Sequence, residues 1–313
     1  MRTNLEAYRL LVVAALALSV ASWGGRPALA DPQGAPPGHV KRAGPLQIKK
    51  WDSTMCLNSN QYAQTLDQEF MEDGWRRSTG TNEWAKEYPW GRTNPNAGDA
   101  AYHISGAQGL GNPIYDPFSI VNGNTLAIQA NTVANVPGLQ PSQIDGYQYV
   151  SGVMSTAGPH ATHFRQQWGY YEVRTMLPKG QGFWPSFWML DSWGGIDEVD
   201  AFEFLGNDVT TIYQSVHYGD GSGGSYAYHP PFDPTKGYHN YGVLLSPTTD
   251  IYYVDGVQTH SVPNASLNPM YFMVSFSIGA PGSWPGPPDG STPWPSYLYV
   301  QYFHAYAPTG RSC

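Results

Sequence analysis

Apolar and polar residues alternate with a period of two in several stretches of this chain. The run NTLAIQA at 124–130 is short and alternating. In GYYEVRTML at 169–177, Tyr171, Val173 and Thr175 share one face, and Tyr170, Glu172, Arg174 and Met176 share the other. IYYVDGVQTH at 251–260 holds Asp255-Gly256 between two β-rich runs, the signal of a type I′ hairpin. Residues 271–278 and 297–306 are further strand runs, and no long stretch carries the helical period. Many strands between Gly/Pro-rich loops predict an all-β sandwich or jelly roll. Residues 219–240 and 280–296 read as long loops, which on a sandwich lie at an edge or over a binding face.

One pair of runs breaks the simple pattern. FWPSFWML at 183–190 places Trp184, Ser186 and Trp188 on one face, and Phe183, Pro185, Phe187 and Met189 on the other. After the short loop DSWGG comes IDEVDAFEF, and the two runs are expected to pair antiparallel. Glu198 and Asp200 are two apart and share a face. Glu203 comes three later, so a regular strand turns it to the opposite face. Burying carboxylates in an apolar strand is costly without a partner or a purpose. A β-bulge within Val199–Phe202 adds one unpaired residue, shifts the phase, and returns Glu203 to the face of Glu198 and Asp200. Aromatic rings beside clustered carboxylates are what a sugar site needs, with the rings against pyranose faces and the acids at the glycosidic bond. Read alone, Trp184 and Trp188 fit core packing equally well.

Composition narrows the classes. The chain has 313 residues, only 13% of them charged, with 35 Gly, 27 Pro, 11 Trp and 22 Tyr, a mixture that suits a turn-rich extracellular β protein. A net charge of −8 argues against a nucleic-acid partner. Residues 1–30 have the form of a signal peptide: Arg2 and Arg9, a twelve-residue mostly apolar run at 10–21, and Ala28-Leu29-Ala30 before the cut. Secretion or periplasmic export is therefore expected, with no membrane anchor after cleavage. Residues 31–64 read as a Pro/Gly-rich arm and 65–313 as a single β domain. Cys56 and Cys313 pair or remain two separate thiols; spacing does not decide. Asn264-Ala265-Ser266 fits a glycosylation sequon. His160 and His163 lack a third ligand nearby and are set aside.

The stretch GFWPSFWMLDSWGGIDEVDAFEFLG resembles the glycoside hydrolase family 16 signature, an aromatic WPxFW run followed by E-x-D-x-x-E. This spacing resembles the bulged form found in laminarinases and agarases; bacterial lichenases use an unbulged E-x-D-x-E. FRQQWGYYEVRTMLP, YHNYGVLLSPTTDIYYVDG, the closing strand around VQYFHAY and the opening LDQEF resemble the family's flanking segments, covering residues 66–306. Three departures stand out: VQYFHAY replaces V-D-Y-V-R-V-Y, Ser275 replaces an Asn, and Asp197 replaces a Gly.

The resemblance implies a concanavalin-like jelly roll with a concave cleft. It also implies a retaining endo-hydrolase of β-1,3 or mixed β-1,3/1,4 glucan, with Glu198 as nucleophile, Glu203 as acid/base and Asp200 orienting Glu198. Trp184, Trp188, Trp193 and His217 are candidate substrate contacts, and Trp284 a candidate cleft wall. Retention needs the two working carboxyls about 5–5.5 Å apart. Five residues of strand span roughly 16 Å, so a bulge has to shorten the path. A transglycosylase, an exopolysaccharide depolymerase and a non-catalytic lectin-like protein stay open as alternatives. A polysaccharide is the expected partner and a monomer the expected state. No cofactor or metal site is expected, with a structural calcium left open because no ligand string is evident.

Overall fold

The computed structural model describes residues 62–70, 84–104, 115–158, 164–191, 197–263 and 268–310. Strands dominate. In chain order they are β1 (Tyr62–Glu69), β2 (Ala101–His103), β3 (Phe118–Val121), β4 (Thr125–Thr132), β5 (Tyr149–Ser151), β6 (Val153–Ser155), β7 (Gly169–Met176) and β8 (Phe183–Asp191). They continue with β9 (Glu198–Glu203), β10 (Ile212–His217), β11 (Gly223–Tyr228), β12 (His239–Leu245), β13 (Thr249–Val254), β14 (Val257–Pro263), β15 (Met270–Ile278) and β16 (Ser296–Pro308). Among the described residues helix is limited to 3₁₀ turns, and no helix is long and apolar enough to cross a membrane.

Ten strands form one sheet in the order β14-β13-β12-β7-β16-β4-β5-β2, with β1 on β16 and β3 on β4. Six form the other, β11-β10-β9-β8-β15-β6. The sheets stack as a jelly-roll sandwich because one face of each is apolar. Phe187 of β8 meets Phe303 of β16 at 5.3 Å between ring centroids, Phe202 of β9 meets Tyr241 of β12 at 4.7 Å, and Phe272 of β15 meets Tyr171 of β7 at 4.7 Å. The period-two reading of β7 holds: Tyr171 and Val173 enter this core. On the opposite face, Glu172 accepts hydrogen bonds from the hydroxyls of Tyr170 and Tyr302.

The six-stranded sheet has apolar residues on its second face as well. Trp188, Leu190, Tyr271 and Met273 cluster there with Tyr88 and Val153. Strands β8 and β15 are consequently buried along their whole length. This second face carries the acids.

Asp255 and Gly256 have φ of 50° and 72° and join β13 to β14, as the type I′ signal requires. Two expectations are corrected. The 219–240 region is not all loop: β11 pairs with β10 from Ile212↔Tyr228 to His217↔Gly223. GGSYAY has weak strand propensity, and pairing with a neighbour overrides it. Gly223 is required where β11 begins, since a Cβ there would lie 2.2 Å from the Val216 carbonyl oxygen. The arm also ends earlier than residue 64, because β1 starts at Tyr62. The signal-like segment, both cysteines, His160, His163, Trp193 and the Asn264 sequon lie outside the described residues.

Candidate active site

The bulge falls within the expected stretch. Against β8 the pairs are Leu190↔Glu198, Met189↔Val199, Trp188↔Asp200, Phe187↔Phe202 and Ser186↔Glu203, so Ala201 has no partner. The pairing with β10 shows the same interruption between Asp200 and Glu203. Val199, Ala201 and Phe202 all enter the core between the sheets. Glu198, Asp200 and Glu203 therefore face the other way together, opposite alternate residues of β8. Their backbones span four residues of the partner strand instead of five, about 13 Å instead of roughly 16 Å.

All three acids are buried. Glu203 Oε1 accepts a hydrogen bond from Trp184 Nε1–H at 3.0 Å, and its Oε2 lies 3.4 Å from the Ser215 hydroxyl. Burial, and then the negative charge of Asp200, push the Glu203 carboxyl up to about 8. Those hydrogen bonds and His217 pull the other way without cancelling the rise. Burial likewise raises Asp200 to about 8, and burial with repulsion from Asp200 raises Glu198 well above the ordinary carboxylate range. Glu198 and Asp200 stand close enough that each carboxyl shifts the other's protonation. One proton shared by two adjacent carboxyls relieves most of their repulsion. Glu198 Oε2 and Asp200 Oδ2 have no hydrogen-bond partner. Buried polar atoms are seldom left so, and here they belong to the acids of the cleft.

His217 stands opposite Glu198 across β9 and β10, and its Nε2 lies 3.4 Å from Asp200 Oδ2. The resemblance made it a candidate substrate contact, and the structure sets it beside the acids.

Trp184 and Trp188 lie on the expected face, but only 7% and 8% of their surface is exposed. They form the floor of the cleft more than free platforms. Trp184 holds Glu203, while Trp188 Nε1–H donates to Ser275 Oγ at 3.2 Å, and that oxygen is 2.7 Å from Ser186 Oγ. Half-buried rings stand beside them. Trp90 is stacked on Tyr88 at 5.0 Å and packs 6.1 Å from Trp188. Trp284 stands edge-on to Trp184 at 6.1 Å and to Tyr213 at 4.7 Å, where a cleft wall was expected.

Ser215, Tyr88 and Trp90 were missed from sequence. Ser215 has no local motif. Tyr88 and Trp90, in EYPWGR, come from a segment roughly a hundred residues before the acids, and only their aromatic character marked them.

Residues 116–293, more than half of the chain, match the sequence profile of glycosyl hydrolases family 16. The chain is 31% identical over 265 residues to the endo-1,3-1,4-beta-glycanase EglC of Rhizobium meliloti (strain 1021), covering 80% of this chain and 55% of that protein. It spans about half the length of the curated relatives it matches. Among solved structures, the laminarinase catalytic domain from Thermotoga maritima MSB8 superposes with a TM-score of 0.61 at 24% identity, covering 79% of this chain and 98% of that one. The endo-beta-1,3-glucanase from Pyrococcus furiosus gives 0.58 at 26% identity, covering 78% and 99%.

Proposed function

Because the chain belongs to glycosyl hydrolase family 16, we propose that it is a retaining endo-hydrolase of β-1,3 or mixed β-1,3/1,4 glucan, exported by the leader-like segment at 1–30. The observation that carries this reading is the bulge at Ala201, which sets Glu203 on the same buried face as Glu198 and Asp200. The printed activities of the relatives, endo-1,3-1,4-beta-glycanase and endo-beta-1,3-glucanase, support the substrate class.

The charge states supply the mechanism. Below its raised pKa of about 8, Glu203 carries the proton that the leaving glycosidic oxygen needs. Glu198 attacks the anomeric carbon from the opposite side as a carboxylate, once the proton shared by the pair has passed to Asp200, which then donates a hydrogen bond to Glu198. The C–O bond breaks, the aglycone leaves with the proton from Glu203, and the sugar is held as an ester of Glu198. Glu203, now ionised, takes a proton from water, and the hydroxide equivalent displaces Glu198 with net retention. The tryptophan floor excludes water and keeps these charges strongly coupled.

The test is a panel of laminarin, lichenan, agarose and a bacterial exopolysaccharide, following new reducing ends and the anomer first released. Internal cleavage of a glucan with the β-anomer appearing first is expected. Binding without any new reducing end would leave a lectin, and products longer than an added acceptor would indicate a transglycosylase.

A second measurement bears on Trp184. Its indole N–H stabilises the ionised form of Glu203, so removing it raises the Glu203 pKa. In Trp184→Phe the alkaline limb of kcat/KM is expected to move to higher pH, from a wild-type value of about 8. A limb that stayed in place or moved down would break the assignment of Glu203 as the acid.

A further inference from the structure

A second cluster of ligating side chains stands away from the acids, on the outer face of the ten-stranded sheet. Strand β1 pairs with β16 with Asp67 opposite His304 and Glu69 opposite Tyr302. Leu66 on β1 and Phe70 just after it, and Phe303 and Ala305 on β16, point into the core. The period-two rule therefore turns Asp67, Glu69 and His304 outward together. One oxygen of each acid and one nitrogen of the histidine all lie within 4.8 Å of one another.

The histidine is what separates this cluster from an ordinary group of surface acids. His304 is only 6% exposed, yet its Nε2 has no hydrogen-bond partner. Asp67 Oδ1 lies 3.1 Å and Glu69 Oε1 3.5 Å from that nitrogen. Neither contact has the alignment of a hydrogen bond from the ring, although both are close enough. The ring itself is fixed. Tyr302 stacks on it at 4.1 Å with the planes 7° apart, and the Tyr302 hydroxyl is anchored on Glu172 at 2.9 Å. The Tyr306 hydroxyl lies 3.4 Å from the other ring nitrogen, Nδ1. An imidazole oriented through one nitrogen while the other faces two carboxylates has the outer-shell support typical of a metal ligand.

We propose that Asp67, Glu69 and His304 bind a divalent ion of the zinc class, which fastens β1 to β16. Donors bound to one tetrahedral ion at about 2.0–2.1 Å stand roughly 3.3 Å apart, and the two histidine–carboxylate separations, 3.1 and 3.5 Å, bracket that value. Two carboxylates and a neutral imidazole balance a charge of +2. The imidazole donor selects zinc and its transition-metal neighbours over calcium, which takes oxygen ligands. Asp67 and Glu69 keep 55% and 39% of their side chains exposed, so the site opens outward to water as a fourth ligand. Among the described residues β1 pairs only with β16, and an ion bridging them ties down a strand otherwise held on one side. A competing arrangement is a protonated imidazole between two carboxylates with no ion.

The experiment is titration of the chelator-stripped full chain with Zn²⁺, read by calorimetry and by thermal unfolding. One ion per chain and a rise in Tm are expected for the wild type. His304→Gln is expected to weaken zinc binding at least ten-fold, and so is Asp67→Asn with Glu69→Gln, a pair of exposed amide replacements that keeps the fold. His217→Gln tests the other cluster that could hold an ion, Glu198, Asp200 and His217, and is expected to retain the binding. Calcium at equal concentration is expected to leave Tm unchanged. The proposal is overturned if zinc fails to shift the wild type, if His304→Gln or the amide pair binds as tightly as the wild type, if binding is lost in His217→Gln, or if calcium serves equally well.

Discussion

Glu198→Ala is expected to lose on the order of 10⁴–10⁶-fold in kcat, the range seen when a covalent nucleophile is removed, and to be rescued by azide with inverted stereochemistry. Removing the Glu198 side chain empties the space on the side of the anomeric carbon remote from Glu203. Azide fits there and displaces the leaving group of an activated β-glycoside in one step, which gives the α-glycosyl azide. Glu203→Ala keeps the nucleophile, so the ester on Glu198 still forms from an activated substrate that needs no acid. Azide then enters from the side where Glu203 normally activates water, and two displacements give the β-azide. Product stereochemistry measured by NMR thus assigns each carboxylate separately. If Glu198→Ala returned the β-azide, the two roles assigned above would be exchanged.

Much of this site was legible because the motif is local. Six consecutive residues, Glu198 to Glu203, contain both the chemistry and the irregular spacing that demands a bulge. Alternation also sorted the faces of β7 and β8 correctly, since a strand in a sandwich has only two sides. Other parts depend on partners distant in sequence. Strand β11 is made by its pairing with β10, and GGSYAY read alone is a loop. The tryptophans of FWPSFWML announced a sugar platform, yet Trp184 uses its N–H to hold an acid and Trp188 is covered by Tyr88 and Trp90. Aromatic content marks a cleft, but which ring is exposed depends on what packs over it. The Asp67–Glu69–His304 cluster was hidden for the same reason: its two halves are more than two hundred residues apart and meet through strand register.

Glu203→Gln is expected to abolish most activity and at the same time to stabilise the protein, increasingly so as pH rises. The Glu203 carboxyl has a folded pKa of about 8 against 4.5 for the ordinary side chain. A carboxyl raised in this way binds its proton more tightly in the folded state. Its contribution is complete below the unfolded value of 4.5 and is lost as pH climbs through the folded value of about 8. Glutamine is neutral at every pH and keeps an oxygen for the Trp184 N–H, so it removes this loss without opening a hole. The variant and the wild type should therefore unfold together near pH 4–5 and diverge toward pH 8. The gap there is on the order of 2–4 kcal/mol, or roughly 5–15 °C in Tm for a domain of this size. The same substitution removes the general acid, a loss of about 10²–10⁴-fold on a substrate with a poor leaving group. Thermal unfolding of both proteins across this pH range decides the matter. A constant gap would mean that Glu203 is ionised in the folded state throughout, and the proton assigned to the leaving oxygen would have to come from another group. A gap that opens with pH would show the cost, in folded-state stability, of keeping three carboxylates on one buried face, a cost carried by a site arranged for chemistry at the expense of rigidity.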